Sequence, residues 1–301
     1  AGPRRTGKTT LIRKMPVAET TDKIIARLSR SGASYGKQKL RVIENKNVRR
    51  LAEQRKIPLR AAEILCLSQK VIPLRYLRNI GTLGIEGQLK LRCASVAVCG
   101  AGGLGGTAIE LLARAGVGHL IIIDYDIFSE SNLNRQIMST EADLGKAKSR
   151  VTAARVKKIN AAVQVSAVCQ KINARNIKKI IRDAQVVIDG LDNGSTRLVV
   201  ARACGELGIP LVHAAVAGWC GQLLSVFPGD ERLKIICGDR SVKNRRGIES
   251  MVGTPSATPA ALAAWQAQEA IKVITGIGLP VRERILFLDF SAGHIDDIEF
   301  K

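Results

Sequence analysis

A glycine-rich turn, GAGGLG at residues 100–105, limits the folds open to this chain more than any other feature of its sequence. The turn follows the apolar run SVAVC and precedes a segment with helical periodicity. In such a unit the first glycine allows a tight turn, the second lets the backbone approach phosphates, and the third lets the helix pack closely on the strand. Amide groups at the helix start then face an anion. The sequence therefore predicts a Rossmann-type nucleotide site that includes Gly100, Gly102, Gly103 and Gly105.

Apolar runs and amphipathic segments alternate from residue 95 onward, as they do in α/β proteins. The predicted strands are 95–99, 119–124, 163–168, 185–190, 209–215 and 222–227. The predicted helices lie near 104–115, 146–160, 174–183, 195–207 and 258–275, with a loop at 228–256. Two final strands, 284–290 and 294–300, have no helix between them, which indicates an antiparallel edge. We therefore expect a Rossmann-like, doubly wound, mostly parallel α/β sheet with an antiparallel C-terminal extension.

The N-terminal quarter of the chain differs from the rest in its charge. Residues 1–80 contain 20 Lys and Arg against 5 Asp and Glu, in a chain of net charge +21. We expect residues 1–74 to form a small basic extension, partly helical and disordered at its start, ahead of an α/β domain at 75–301. Nucleic acid, an acidic protein and a membrane surface all attract such charge, and a solvated appendage fits equally well. The charge alone leaves the partner open.

Within this extension, the segment 29–39, SRSGASYGKQK, is small and polar enough to be a loop or linker. Two helical patterns, VRRLAEQR and LRAAEILCLSQ, then flank Ile57 and Pro58. The pair is compatible with a DNA-binding helix-turn-helix, but in most such pairs the apolar faces simply pack together, which is what we expect here. The segment GPRRTGKT at 2–9 matches the P-loop pattern, yet only Ala1 precedes it, so we expect no supporting strand and no second ATP site.

Composition excludes several classes of protein. The hydrophobic fraction of 46% allows a sizeable core, and no apolar run approaches the roughly 18 residues of a membrane span. We expect no membrane association and a cytoplasmic location, because the sequence shows no secretory signal pattern. The seven cysteines never form a CxxC pair, and reduced core thiols explain most of them.

The nucleotide fingerprint includes an acid at the end of the next strand. Asp124, 19 residues after Gly105, is placed to accept hydrogen bonds from a ribose hydroxyl. Alone, this pattern would favour a dinucleotide dehydrogenase. However, DYDIFSESNLNRQ supplies Asn132 and Arg135 directly afterwards, and GKAK brings Lys148 to a helix start. A guanidinium and an ammonium near a glycine turn suit a polyphosphate, although a solvated charged loop is the alternative.

A second acidic motif, DGLDN at 189–193, follows the apolar strand QVVI. A carboxylate at the carboxyl end of a strand in an open α/β sheet faces the ligand crevice, where it can hold Mg²⁺ against phosphate oxygens. Asp192 is the metal candidate. The alternative is that Asp189 or Asp192 simply caps the helix that begins near Ser195.

These motifs, with RYLRN before them and VAGWCGQ after them, closely resemble the ThiF/MoeB/HesA family, the bacterial relatives of ubiquitin-activating enzymes. The resemblance runs in order from about Arg75 to the C-terminus. It implies a homodimer that uses MgATP to adenylate the C-terminal Gly-Gly carboxylate of a small ubiquitin-fold sulfur carrier, ThiS-like or MoaD-like, with release of pyrophosphate. Sulfur incorporation into thiamine or molybdopterin would be its purpose.

The resemblance also implies roles for individual residues. Gly103 and its neighbours would approach the phosphates, and Asp124 would bind the ribose. Asn132, Arg135 and Lys148 would act on the ATP phosphates. The family pattern would also make Arg135 and Lys148 catalytic groups.

Two further residues complete the implied site. Asp192 would act on Mg²⁺, and Arg78, in the RY-x-R motif, would reach the ATP of the partner subunit. The carrier's carboxylate would attack the α-phosphate in line, and it would need no general base because it is already ionised.

The sequence departs from the family pattern at its cysteines. Many members hold a structural zinc with two CxxC pairs, and this chain has neither, so we predict no zinc. Cys237 lies in the loop where some members place a nucleophilic cysteine, beside Lys234 and Arg240. We expect it to be a bystander, and adenylation to proceed without an obligatory thioester.

Three rival functions remain open at this point. The tRNA-modifying branch of the family adenylates a carboxylate on a tRNA base, and the basic N-terminal segment suits it. A nucleotide-binding scaffold without activity is the non-enzymatic alternative, and a dehydrogenase is the third. Retention of Arg135, Lys148 and Asp192 argues against the scaffold.

Overall fold

Residues 20–35, 38–230, 232–237 and 249–300 are described by the structure, which is a computed structural model of the chain. The described residues from 20 to 73 form a small module of three helices around a three-stranded sheet. Its elements are α1 (Thr21–Leu28), β1 (Arg30–Tyr35), β2 (Gln38–Ile43), α2 (Asn45–Arg55), α3 (Leu59–Ser68) and β3 (Val71–Pro73). β2 is central, antiparallel to β1 and parallel to β3.

The expectation of a loop or linker at 29–39 is wrong, because this segment forms most of a β-hairpin. Its small polar residues are typical of loops, but β1 lies at the sheet edge and has β2 as its single strand neighbour. The apolar residues that anchor the hairpin lie on β2, where Val42 and Ile43 are buried. The two predicted helices are confirmed as α2 and α3, and their buried residues pack in one apolar cluster with those of α1.

A 3-10 turn at Leu74–Asn79 leads into α4 (Ile80–Cys93), which kinks at Gly84, where φ is 64°. The remaining strands are β4 (Ser95–Cys99), β5 (His119–Ile123), β6 (Gln164–Val168), β7 (Val186–Asp189), β8 (Leu211–Ala217), β9 (Cys220–Val226), β10 (Arg284–Asp289) and β11 (His294–Glu299). The remaining helices are α5 (Gly103–Ala115), α6 (Lys148–Ile159), α7 (Ile177–Ile181), α8 (Gly194–Leu207), α9 (Arg232–Cys237), α10 (Glu249–Val252) and α11 (Ala257–Thr275).

These eight strands form one sheet in the order β11-β10-β9-β8-β7-β4-β5-β6. The five strands from β8 to β6 run parallel, and β9, β10 and β11 extend the sheet antiparallel. The predicted fold class is therefore confirmed. The prediction of a loop at 228–256 is only partly right, because the described residues of this segment include two short helices, α9 and α10.

The central strands of the sheet are buried on both faces, as a doubly wound sheet requires. Alternate residues of β4 belong to two separate apolar clusters: Val96 and Val98 to one, Ala97 and Cys99 to the other. Helices α5 and α11 cover the first face, and α7 and α8 cover the second. Hence β4 is buried between the two helical layers.

Two glycine turns meet at the carboxyl ends of β4 and β7. A Cβ atom on Gly105 would lie 1.9 Å from the Gly100 carbonyl oxygen, and one on Gly190 would lie 2.9 Å from the Gly105 Cα. Gly105 therefore has the packing role predicted for the third glycine of the turn. This contact brings the segments 100–105 and 189–194 together.

The N-terminal module is joined to the sheet through a buried ion pair between α3 and α4. The Glu63 carboxylate lies 2.9 Å from the Arg92 Nε, and both side chains are almost fully buried. The Tyr76 hydroxyl donates to the same carboxylate at 3.0 Å. The division of the chain at residues 74 and 75 stays a prediction.

Candidate functional site

A cavity of about 610 Å³ lies at the carboxyl ends of the parallel strands. Its walls include residues that follow β4, β5, β6 and β7, together with residues of β8 and β9. β4 and β7 are sheet neighbours although the chain visits β5 and β6 between them, so this edge is the switch point where open α/β sheets bind ligands. The volume is within the range of small-molecule sites.

The glycine turn forms the wall of the cavity above β4. Gly100 adopts a φ of 93°, which favours glycine, and a Cβ there would meet the Gly190 carbonyl oxygen at 2.5 Å. α5 begins at Gly103, behind Gly102, which has no side chain to cap the helix. Gly100, Gly102 and Gly103 all line the cavity. The start of α5 can therefore receive an anionic ligand.

Asp124 stands at the end of β5 and is held by two backbone amides. Its Oδ2 accepts from the Ala101 N–H at 2.7 Å, and its Oδ1 accepts from the Asp126 N–H at 2.8 Å. Burial raises the pKa of Asp124, and these two hydrogen bonds oppose that shift. The carboxylate is thus fixed against the glycine turn while it lines the cavity, where a ribose hydroxyl can donate to it.

Two predicted cations line the same cavity. The Lys148 Nζ, at the first residue of α6, lies 3.3 Å from the Asp126 Oδ2. The Arg135 guanidinium donates from Nη1 to the Ser131 carbonyl oxygen at 2.9 Å and to Asn134 Oδ1 at 2.8 Å. Both cations line the cavity, as the glycine turn does.

Asp192 also lines the cavity, and its side chain is exposed. The helix cap at this place is Asn193, whose side chain accepts from the Thr196 N–H at 2.9 Å. The alternative that Asp189 or Asp192 caps this helix is therefore wrong. Asp192 accepts one long hydrogen bond, 3.2 Å, from the Asn193 amide.

The carboxylates present suit a magnesium ion that a nucleotide brings with it. In the described part of the chain, no group of three or more His, Cys, Asp or Glu residues is arranged to hold a metal. Mg²⁺ commonly uses one or two carboxylates together with substrate phosphates. An exposed carboxylate on the wall of a cavity that also contains the start of α5, as at Asp192, fits that mode of binding.

Three predicted site residues lie apart from the cavity wall as described. Gly105 packs behind the turn. Asn132 is buried, and its Oδ1 accepts from the Ser129 N–H at 3.2 Å in a capping box. Arg78 is exposed on the turn Leu74–Asn79.

Several cavity residues were not among the predicted site residues, and some of them lie at positions that the sequence allows one to predict. Lys171 follows β6, and Asp126 follows Asp124, so the strand-end rule applied to every strand would have found both. Gln136 is buried with its Oε1 unpaired. Gln222 lies on an antiparallel strand, for which no such rule exists.

Beneath the cavity lies a buried network around Asp189. Its Oδ2 accepts from the Arg197 Nε and from the His213 Nδ1, each at 2.7 Å. Burial opposes ionisation of Asp189, but the ion pair with Arg197 and the hydrogen bond from His213 outweigh it and hold the pKa low. The first acid of DGLDN is therefore a structural group.

Each of the described histidines has a hydrogen-bond partner within the fold. His119 lies between Ser95 and Ser166, and His294 pairs with Asp296. The Cys237 side chain and the segment 2–9 lie outside the described residues. No helix in the described ranges is long and apolar enough to cross a membrane.

Known proteins are similar to this chain in sequence and in fold. The family model described as "ThiF family" matches residues 76–301. The SAMP-activating enzyme E1 of Haloferax volcanii is 34% identical over 217 residues, which are 71% of this chain and 80% of that protein. The sulfur carrier protein ThiS adenylyltransferase of Escherichia coli K12 is 35% identical over 223 residues, which are 71% of this chain and 86% of that protein.

A solved structure extends the likeness to the fold of nearly the whole chain. The crystal structure of E. coli MccB with ATP matches 91% of this chain and 95% of its own, with a TM-score of 0.64 and 21% identity. The family model covers most of the sequence, in the part where the motifs indicated the resemblance. The chain belongs to the ThiF family.

Proposed function

We propose that this protein is an ATP-dependent adenylyltransferase that activates the C-terminal Gly-Gly carboxylate of a ubiquitin-fold sulfur carrier protein. The observation behind the proposal is that one cavity brings together a glycine turn, two cations and an exposed carboxylate. Relatives at 34% and 35% identity are named for activating a small carrier, SAMP or ThiS. Both the chemistry of the site and these names favour adenylation over hydride transfer.

In this proposal the nucleotide lies across the carboxyl ends of β4 and β5. Its ribose donates to Asp124, and its phosphates lie at the start of α5. Lys148 exchanges its pairing with Asp126 for a phosphate oxygen, and Arg135 adds a second cation. Both charges stabilise the pyrophosphate leaving group as it develops. Asn132 supports this wall of the site through its capping box.

Asp192 would hold the Mg²⁺ that accompanies ATP, and this ion supplies charge neutralisation between the phosphates. The carrier's carboxylate attacks the α-phosphorus, and the bond from that phosphorus to the pyrophosphate oxygen breaks. No side chain has to remove a proton, because the carboxylate is ionised at neutral pH. Orientation and electrostatics therefore account for the catalysis.

We propose further that the protein acts as a homodimer in which Arg78 reaches the partner's nucleotide. Arg78 is exposed and lies apart from the described wall of its own cavity, so a role within its own subunit has no geometric support. The absence of zinc, the division into residues 1–74 and 75–301, and any nucleic acid partner of the basic N-terminal region stay predictions.

Pyrophosphate exchange tests the proposed function. We expect labelled pyrophosphate to enter ATP only when a carrier with a C-terminal Gly-Gly is added, and Asp192→Ala to abolish the exchange. If neither the wild-type protein nor Asp192→Ala incorporates labelled pyrophosphate into ATP, the result would indicate a nucleotide-binding scaffold. ATP consumption stimulated by tRNA and not by a carrier would indicate the tRNA-modifying activity.

A further inference from the structure

Gln222 is the one side chain of the antiparallel strand β9 among the described residues of the cavity wall. Its amide nitrogen lies 3.2 Å from the His213 Nε2, and the His213 Nδ1 lies 2.7 Å from the Asp189 Oδ2. His213 and Asp189 are fully buried. A chain of three polar side chains therefore runs from the centre of the sheet to the cavity wall.

The direction of each hydrogen bond in this chain follows from the charges. An ionised carboxylate only accepts, so the proton between Asp189 and His213 belongs to the His213 Nδ1. Burial lowers the pKa of His213, although Asp189 opposes the shift, so the ring is neutral at pH 7. A neutral imidazole has one N–H, which leaves Nε2 as an acceptor. Nε2 accepts from the Gln222 amide, and the Gln222 Oε1 is left for another partner.

The position of Gln222 separates it from the nucleotide. β9 is three strands away from β4 in the sheet order, which is roughly 14 Å at the usual spacing of strands. The predicted nucleotide groups follow β4, β5 and β7. The wall beyond them is formed on β8 and β9 by Ala215, Val216 and Gln222, and none of these is charged. This part of the cavity suits an uncharged, extended peptide with small side chains.

We propose that the Gln222 Oε1 accepts a backbone N–H of the carrier's C-terminal tail and so directs the terminal carboxylate toward the α-phosphorus. His213 and Asp189 act as positioning residues, since they fix the orientation of the Gln222 amide. The inference rests on the proposed function and adds to it the residue that recognises the peptide backbone of the acyl substrate.

A kinetic comparison tests the contact. Gln222→Leu should raise the KM for the carrier about tenfold, as the loss of one hydrogen bond predicts, and leave the KM for ATP unchanged. The matched control is Gln185→Leu, an exposed glutamine that precedes β7 and lies outside the described cavity wall, which should leave the carrier KM unchanged. An unaltered carrier KM in Gln222→Leu would overturn the inference. If the wild-type protein shows no carrier-dependent exchange, the proposed function itself fails.

Two further measurements test the contact, and the first of them uses wild-type protein alone. Nitrogen-15 NMR of His213 should show a neutral ring protonated at Nδ1, whereas a ring protonated at Nε2 would reverse the Gln222 amide and contradict the inference. Semisynthetic carriers with one N-methylated residue at each of the last four positions in turn, sarcosine where the residue is glycine, remove one N–H at a time, because an extended chain needs about four residues to span roughly 14 Å. One of them should lose about tenfold in kcat/KM with wild-type enzyme and nothing further with Gln222→Leu. Additive losses would exclude the contact.

Discussion

The Lys148 ammonium of α6 lies 3.3 Å from the Asp126 carboxylate, at the edge of the cavity beside the glycine turn. The Lys148 side chain is 9% exposed, whereas that of Asp126 is 45% exposed. The lysine also lies 6.0 Å from the centre of the Phe128 ring. Its charge is therefore held in place before a nucleotide arrives, which is the preorganisation that electrostatic catalysis needs.

Replacement of Lys148 should abolish most of the activity with little effect on folding. Lys148→Met keeps much of the aliphatic stem and removes the charge, so we expect kcat/KM for carrier-dependent exchange to fall about 100-fold or more. The matched control is Lys146→Met, two residues away, where the side chain is 59% exposed and pairs with Asp143. Equal activity in the two variants would remove Lys148 from the mechanism.

Mixed dimers test the proposal that Arg78 acts across subunits. Arg78→Ala and Asp192→Ala proteins should each be inactive. A dimer with one subunit of each type has one intact site, in which the subunit with Asp192 receives Arg78 from its partner. Random exchange of subunits should therefore restore roughly a quarter of wild-type activity. Restoration should require exchange, which two different affinity tags can verify. Mixed dimers without activity would show that both residues serve the same subunit's site.

Breaking the ion pair between the N-terminal module and α4 should destabilise the fold. Glu63→Gln keeps the side-chain volume but leaves the buried Arg92 without its counter-charge, which we expect to cost about 3–5 kcal/mol in the free energy of unfolding. Glu86→Gln, an exposed glutamate on α4, should change it by less than about 0.5 kcal/mol. Urea unfolding measures both. If the two variants are equally stable, the module is not coupled to the sheet through this pair.

The stability of the protein should fall on acidification below the ordinary histidine pKa of 6.5, partly because of His213. Burial lowers the pKa of His213 in the folded protein, so over this range the unfolded chain binds a proton that the folded one does not. The unfolding free energy therefore rises with pH up to about 6.5. His213→Asn should show a shallower slope between pH 5 and 7, by at most about 1.4 kcal/mol per pH unit. His294→Asn, an exposed histidine, is the control, and equal slopes in both variants would contradict the assignment.

Sequence patterns predicted the sheet from β4 to β11 because the residues of each strand alone contain the pattern that identifies it. A buried strand such as β7 is an apolar run, and its position in the chain follows from the helices around it. The same logic placed Asp124 and Asp192, because carboxyl ends of parallel strands meet at one edge. That part of the site was predictable without a structure.

The features that escaped prediction depend on contacts between distant residues. β1 is a strand because β2 provides its partners and its apolar anchor. Gln222 reaches the cavity because the register of β8 and β9 places it diagonally across from His213. Asp189 and Asp192 look alike in the sequence, and the contacts of Asp189 with Arg197 and His213 distinguish the buried acid from the exposed one. Spacing along the chain contains none of this information.

Isotope transfer tests the central claim most directly. A carrier whose terminal carboxylate is labelled with oxygen-18 is incubated with ATP, Mg²⁺ and the protein, and the adenylate is then cleaved with hydroxylamine. Because the carboxylate oxygen becomes the bridge to the α-phosphorus, we expect the released AMP to contain one oxygen-18 atom, and Asp192→Ala to yield no labelled AMP. Unlabelled AMP from the wild-type protein would show that the carboxylate does not attack the α-phosphorus, and would contradict the proposed adenylation.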